Sequence, residues 1–328
     1  MRRAVLMTLC GLWLIGASDA LAAGGPVPPV LGGSGVSATS SPFNFIALAA
    51  GPDTLVERVR RVSGTVGDTA LVHGSFGVPA VSYDGSSTGL SADGRTLVLA
   101  GAVGLTTPTQ LVVLNTSPLG KRASIVLNGA YLVDAISPDG RWLYLIHYRS
   151  LNNISDYEVR AYDLVRGQLL PKPIVDPREP DEKMTGLPVT RTMSPDGRWA
   201  YTLYFRGGGA PFIHALDTAA GRAFCVDLPA NLSGISNNDP FNLRLKLMSA
   251  TALSILYYGK AVAAMDTRTF AVRTVKSGPQ PAPPARHPAG PANQDGSWLW
   301  ALGIGLLAAL ITAGSIVHRR RRSHIAVA

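Results

Sequence analysis

The chain has 328 residues, 46% of them hydrophobic and 16% charged, with a formal net charge of +9. Arg2 and Arg3 against Asp19 account for +1 of that charge and Arg319 to Arg322 for +4, so the long middle is only mildly basic. With no basic run or stripe there, nucleic acid is excluded as an expected partner, and a large apolar core must carry stability.

In chain order, Arg2 and Arg3 precede an apolar segment from Ala4 to Gly16, and Ala20, Leu21 and Ala22 form a small-residue cleavage site. Residues 1–23 therefore read as a secretory signal. Cys10 does not make it a lipoprotein signal, since Thr8 and Leu9 are not the small residues that precede a lipidated cysteine. Removal of that signal leaves Cys225 as the only cysteine, which excludes an internal disulfide. Residues 24–42 are rich in Gly, Pro and Ser and read as a flexible leader. Strand-like pieces follow at Asn44 to Ala49, Leu55 to Val62 and Leu71 to Val81.

From Ser87 a four-part pattern sets in. It is marked by Ser137-Pro138-Asp139-Gly140-Arg141-Trp142, which returns as Ser194-Pro195-Asp196-Gly197-Arg198-Trp199 and more weakly as Ser91-Ala92-Asp93-Gly94-Arg95. Proline pre-sets the first corner of a type I turn, Asp bonds nearby backbone, and Gly takes the positive φ that closes a hairpin. A second mark recurs in step, where the third strand of each unit ends in Asn115-Thr116, Asp163-Leu164, Asp217-Thr218 or Asp266-Thr267. The predicted strands run Thr88–Ser91, Thr96–Ala100, Gln110–Thr116 and Ala123–Leu127, then Tyr131–Ser137, Trp142–Tyr148, Glu158–Leu164 and Gln168–Val175. The third unit is Val189–Ser194, Trp199–Phe205, Phe212–Thr218 and Arg222–Leu228; the fourth is Leu243–Ser249, Ala252–Tyr258, Ala261–Thr267 and Ala271–Val275, with Ser249-Ala250-Thr251 as its turn.

Repeats of about 40 to 55 residues with four short strands each are the pattern of β-propeller blades, because one such sheet cannot cover both its faces and radial stacking does. The expected fold is all-β, a propeller of about five four-stranded blades over residues 43–276. The Ser-Pro-Asp-Gly-Arg-Trp-Leu-Tyr run at 137–144 and its Asp-Thr partner resemble the YVTN and TolB type of WD-repeat-like propeller. That resemblance implies the fold and no single activity, since such propellers include interaction modules and domains attached to enzymes.

Residues 277–296 are dense in Pro, Gly and Ala and read as a stalk that, if extended, holds the body about 50 Å from a bilayer. Residues 297–317 carry no charge and match the thickness of a hydrocarbon core, so one C-terminal transmembrane helix is expected. Trp298 and Trp300 suit an interfacial belt, and the arginines place residues 318–328 in the cytoplasm as a basic tail. The expected topology is single-pass type I, with the propeller outside the cell membrane. Gly305, Ala309 and Ala313 recur every four residues, a spacing that permits helix pairing and is also common in such helices by composition.

In a meander blade, the first and third turns share one face, and the second loop and the connection to the next blade share the other. The long segments, 101–109, 149–157, 176–188, 206–211 and 229–242, all fall on the second face. Recognition residues usually sit on such loops, so Arg149, Asn152, Asn153, Arg206, Asn237 and Asn238 are the candidate contacts for a protein, glycan or small ligand. No catalytic residue, cofactor or metal is expected. Asp176, Glu179, Asp181 and Glu182 cluster without EF-hand spacing and are interleaved with Arg178 and Lys183, which suits a solvated loop. His73, His147 and His214 form no ligand pair, and no G-x-S-x-G elbow exists. The Ser-Pro-Asp-Gly turn differs from a sialidase Asp box, in which one residue parts Asp from Gly. Cys225 reads as a packed thiol with no neighbouring His. Asn115, Asn153 and Asn231 begin N-x-S/T triplets, which matter only in a glycosylating host. The reading is a non-catalytic recognition or scaffold module outside the membrane. The alternative is a propeller enzyme working at the central channel, lactonase-like or dehydrogenase-like.

Overall fold

The computed structural model describes residues 28–275, apart from 34, 40, 155, 182, 207, 208 and 235–238. The expected signal, stalk, membrane helix and basic tail lie outside the described residues. Within them the chain forms nineteen strands in five antiparallel sheets, each a meander in sequence order.

The first sheet is β1 (Phe43–Ala50), β2 (Asp53–Arg60) and β3 (Val66–Val72). The second is β4 (Phe76–Gly77), β5 (Thr96–Gly101), β6 (Thr109–Thr116) and β7 (Leu119–Leu127). The third is β8 (Ala130–Ile136), β9 (Trp142–Tyr148), β10 (Tyr157–Asp163) and β11 (Gln168–Leu169). The fourth is β12 (Leu187–Met193), β13 (Trp199–Phe205), β14 (Phe212–Asp217) and β15 (Arg222–Asp227). The fifth is β16 (Leu243–Ser249), β17 (Ala252–Tyr257), β18 (Lys260–Asp266) and β19 (Val272–Thr274).

The repeated turn forms for the reason its residues imply. In each copy the Ser hydroxyl donates to the Asp carboxylate two residues on, at 2.6 Å in Ser91 and Ser137 and 2.5 Å in Ser194. The same carboxylate accepts the backbone N–H of Arg95, Arg141 or Arg198, and the Ser oxygen accepts the N–H of Thr96, Trp142 or Trp199. The glycines take φ of +71°, +69° and +71°. The second mark touches the first: Thr116 and Thr218 hydroxyls donate to the Gly94 and Gly197 carbonyls, and Thr267 to that of Ala250. The buried Asp163 and Asp217 carboxylates pair with Arg141 and Arg198 of the same turns. Two recurring signals in the sequence are thus two halves of one joint between the first and third turns of each blade.

Burial shows how the sheets stack. β5, β13 and β14 are buried along nearly their whole length, whereas β16 and β17 alternate and β1 and β2 do so in part. Middle sheets have a neighbour on each side, and end sheets have one. The apolar clusters agree. One joins the first and second sheets through Phe45, Val56, Leu97 and Leu99. Another joins the second and third through Val98, Val113, Val133 and Leu145. Two join the third and fourth, and the last joins the fourth and fifth through Tyr201, Leu203, Leu253 and Ile255. None of the five clusters spans from the fifth sheet to the first, so closure by stacking at that seam, expected from the repeat logic, is not among the described packing.

Two departures from the predicted elements matter. The run Leu71–Val81 is not one strand, because Gly74 at φ +100° turns the chain and the Thr54 hydroxyl, accepting the Phe76 N–H at 2.8 Å, pins the corner. Residues 79–88 then form an extra hairpin, with Ala80 bridged to Ser87. Its tip, Ser82-Tyr83-Asp84-Gly85-Ser86, is a further copy of the turn, with Asp84 accepting both the Ser82 and Ser86 hydroxyls. The tip's N–H groups at Tyr83 and Asp84 donate to Pro188 and Val189 carbonyls of β12, and Tyr83 meets Phe241 edge-on at 5.6 Å. A hairpin of the second sheet thus reaches the first strand of the fourth, past the third. In the Gly/Pro/Ser-rich leader, Val30 bridges Val78, Val36 bridges Phe45, and Val36 and Ala38 are buried.

Candidate functional site

The turns at 91–95, 137–141 and 194–198 meet at one end of the ring. The Asp93 N–H donates to the Pro138 carbonyl at 3.0 Å, and a Cβ on Gly197 would stand 2.4 Å from that of Ala92. Between the innermost strands, Arg191 of β12 pairs with Asp134 of β8, both buried, and its Nε donates to Thr202 at 2.8 Å. The 79–88 hairpin also reaches β12, through the carbonyls of Pro188 and Val189.

The opposite, long-loop face holds a cleft of about 220 Å³ between the third and fourth sheets. Its rim carries Arg149, Lys183 and Arg206 beside Glu179 and Asp181, and its walls include Tyr157, Ile174, Met184 and Phe212. On the short-turn side a hollow of about 290 Å³ lies between the first and second sheets, around Phe43, Arg58 and Asp93. Loop length alone therefore does not sort every concavity to one face.

Of the predicted contacts, the structure brings Arg149 and Arg206 to the same cleft. Arg149 pairs with Asp156 at 2.6 Å and Glu158 at 2.8 Å; Arg206 pairs with Asp227 at 3.1 Å and lies over the Phe212 ring at 4.0 Å. Asn152 and Asn153 are exposed at the tip of the 149–156 loop and do not line the cleft. Asn237 and Asn238 lie outside the described residues.

The acidic loop is organised from within. Burial disfavours the Asp176 carboxylate, but bonds from the Arg178 guanidinium and from the Arg178 and Cys225 N–H groups outweigh it and hold its pKa below the ordinary value. Among the described residues, no three of His, Cys, Asp and Glu stand together as a metal site. At the cleft floor His214 is almost fully buried, and burial pushes its pKa down to about 4, so the imidazole is neutral at pH 7.

Cys225 is not the isolated thiol that the sequence suggests. It does have a histidine neighbour, since β14 and β15 set His214 opposite Cys225, with Sγ 3.9 Å from Nδ1. Hairpin arithmetic could have found this, because the two residues are equidistant from the turn between Asp217 and Arg222. Met184 had no such signal, since it lies on the loop before β12 and not on a strand paired with β14 or β15.

No protein-family model matches the chain, and no curated protein matches it. Solved structures to which it is similar include a Kuenenia stuttgartiensis hydrazine synthase, at 14% identity and TM-score 0.41, over 73% of this chain and 64% of that one. TolB from Acinetobacter baumannii is similar at 12% identity and TM-score 0.39, over 74% and 51%. The Myceliophteria thermophila Cps50 (Swd1) β-propeller domain is similar at 9% identity and TM-score 0.41, over 78% and 71%. The chain spans less than two thirds of the first and about half of the second. The architecture itself rests on the five stacked meanders.

Proposed function

We propose that the chain is a non-catalytic recognition module whose propeller stands outside a cell membrane, anchored by residues 297–317 with residues 318–328 in the cytoplasm. The observation that carries the recognition half is the cleft between the third and fourth sheets. There two arginines chosen on loop length converge above an apolar wall, and three of the five long segments contribute to one concavity. Its volume is below that of a typical drug-sized site, so it suits one small group of a larger partner, a side chain of a protein or a ring of a glycan. The uncharged run at 297–317 and the arginines beyond it support the anchoring half. The alternative, an enzyme acting through a central channel, has less behind it, because the Asp134–Arg191 pair joins the first strands of the third and fourth sheets and the hairpin bonds to the same strand β12.

Proximity labelling from the outer side of the membrane tests the recognition half. Neighbours labelled by the parent chain should be lost when Arg149→Glu and Arg206→Glu are combined, and kept when Arg166→Glu is made on the short-turn side. The opposite result refutes the cleft. For the anchor, with Cys10→Ser and Cys225→Ser in the background, a membrane-impermeant thiol reagent on intact cells should label Ser277→Cys and spare Ser323→Cys; the reverse pattern overturns the orientation.

A further inference from the structure

Soft donor side chains line one cleft. Cys225 comes from the edge strand β15, His214 from β14 beside it, and Met184 from the loop before β12; all three line the cleft. Met184 and Cys225 also pack against the same apolar cluster as Tyr157 and Phe212. His214 is only 1% exposed, yet its Nε2 has no hydrogen-bond partner and its Nδ1 faces the Cys225 sulphur at 3.9 Å. With the proton on Nε2, the Nδ1 lone pair is the one that faces the Cys225 sulphur, so an ion between the two atoms would take that lone pair and leave the tautomer unchanged.

The separation of sulphur and nitrogen says what could. Metal–sulphur and metal–nitrogen bonds of about 2.3 and 2.0 Å set the two atoms about 3.5 Å apart at a tetrahedral angle and about 4.3 Å apart in a line. The observed 3.9 Å lies between, the range of an ion with two or three ligands. Hard donors are withdrawn from the floor: both Asp176 oxygens accept from Arg178, and one also accepts the Cys225 N–H. Thiolate, thioether and imidazole together favour a soft ion over magnesium or calcium.

We infer that Cys225, His214 and Met184 form a binding site for a soft monovalent cation of the copper(I) class. On binding, the Cys225 S–H bond breaks and an S–metal bond forms, with the proton leaving through the cleft to solvent. His214 Nδ1 and the Met184 thioether each donate a lone pair without losing a proton, and no oxidation state changes. The site goes beyond rim recognition and does not depend on it.

The test uses the full chain without a tag, carrying Cys10→Ser so that Cys225 is the only thiol. Silver(I), a redox-inert stand-in, and copper(I) are titrated against a competing chelator, while stoichiometry and the thermal midpoint are followed. One ion per chain is expected, with a raised midpoint. Cys225→Ser should weaken binding by about 100-fold or more, and Met184→Leu and His214→Gln by about 10-fold or more each. Met184→Leu keeps the size of a partly buried side chain, so it decides the matter even if His214→Gln does not fold. Unchanged affinity in Cys225→Ser overturns the site, and unchanged affinity in Met184→Leu reduces it to a lone thiol. Displacement of silver by equimolar zinc overturns the soft assignment. Arg166→Glu on the short-turn side should bind silver as the parent does, and Cys225→Ser should keep the neighbours that the parent labels, so the rim and the floor fail separately.

Discussion

Three glycines in equivalent turns form an internal experiment on how the blades meet. Gly94, Gly140 and Gly197 share a φ near +70°, so alanine carries the same left-handed penalty at each, about 1–2 kcal/mol. Their surroundings differ. A Cβ on Gly94 meets nothing within 4 Å, whereas on Gly140 it stands 2.4 Å from Thr96 Oγ1 and 2.7 Å from Thr96 Cβ, and on Gly197 2.4 Å from Ala92 Cβ. Those neighbours belong to the turn of another sheet and are not flexible ends, so overpacking adds about 1–3 kcal/mol. Gly94→Ala should therefore cost about 1–2 kcal/mol, and Gly140→Ala and Gly197→Ala about 2–5 kcal/mol each. For a body of this size each kcal/mol moves the thermal midpoint by about 2–4 °C, so the contrast is readable by calorimetry and by urea midpoints. Equal losses at all three would mean that the turns do not touch, and the convergence of blades at that end of the ring would be wrong.

Other expectations follow from the buried polar groups. His214 titrates at about 4 in the folded chain against about 6.5 unfolded, so its contribution is fully present above pH 6.5 and is lost as pH falls toward 4. That is about 3 kcal/mol, and the difference in urea midpoint between pH 7 and pH 4.5 should shrink in His214→Gln; an equal difference in both chains would refute it. Arg191→Met leaves Asp134 buried without its partner and should cost about 3–5 kcal/mol, with most of that regained by adding Asp134→Leu. If the double variant is no better than the single one, the pair is not what holds β8 to β12. Thr218→Val removes the bond to the Gly197 carbonyl and should cost about 1 kcal/mol, more than the same change at the exposed Thr106.

The sequence by itself determined the units. Strand β9 lies at Trp142–Tyr148 and β13 at Trp199–Phe205, as predicted, because an apolar run and the Ser-x-Asp-Gly turn before it are local, the turn's hydrogen bonds closing within five residues; β16 lies at Leu243–Ser249, as predicted, on its alternation. The Asp and Thr marks were legible too, although their contact with the turn is made across about 20 residues. The extra copy at Ser82 was not singled out, because Tyr83 and Ser86 replace the Pro and Arg that make the motif visible.

Tertiary structure alone decided which blades abut, where the hairpin tip at Tyr83 lands, and that Arg149 and Arg206 share a cleft while Asn152 and Asn153 do not. It also decided that Met184 lines the same cleft as Cys225 and His214. A residue's cross-strand partner follows from a short turn by counting, but its neighbour in the next blade depends on how two whole faces pack. No local pattern in the chain encodes that.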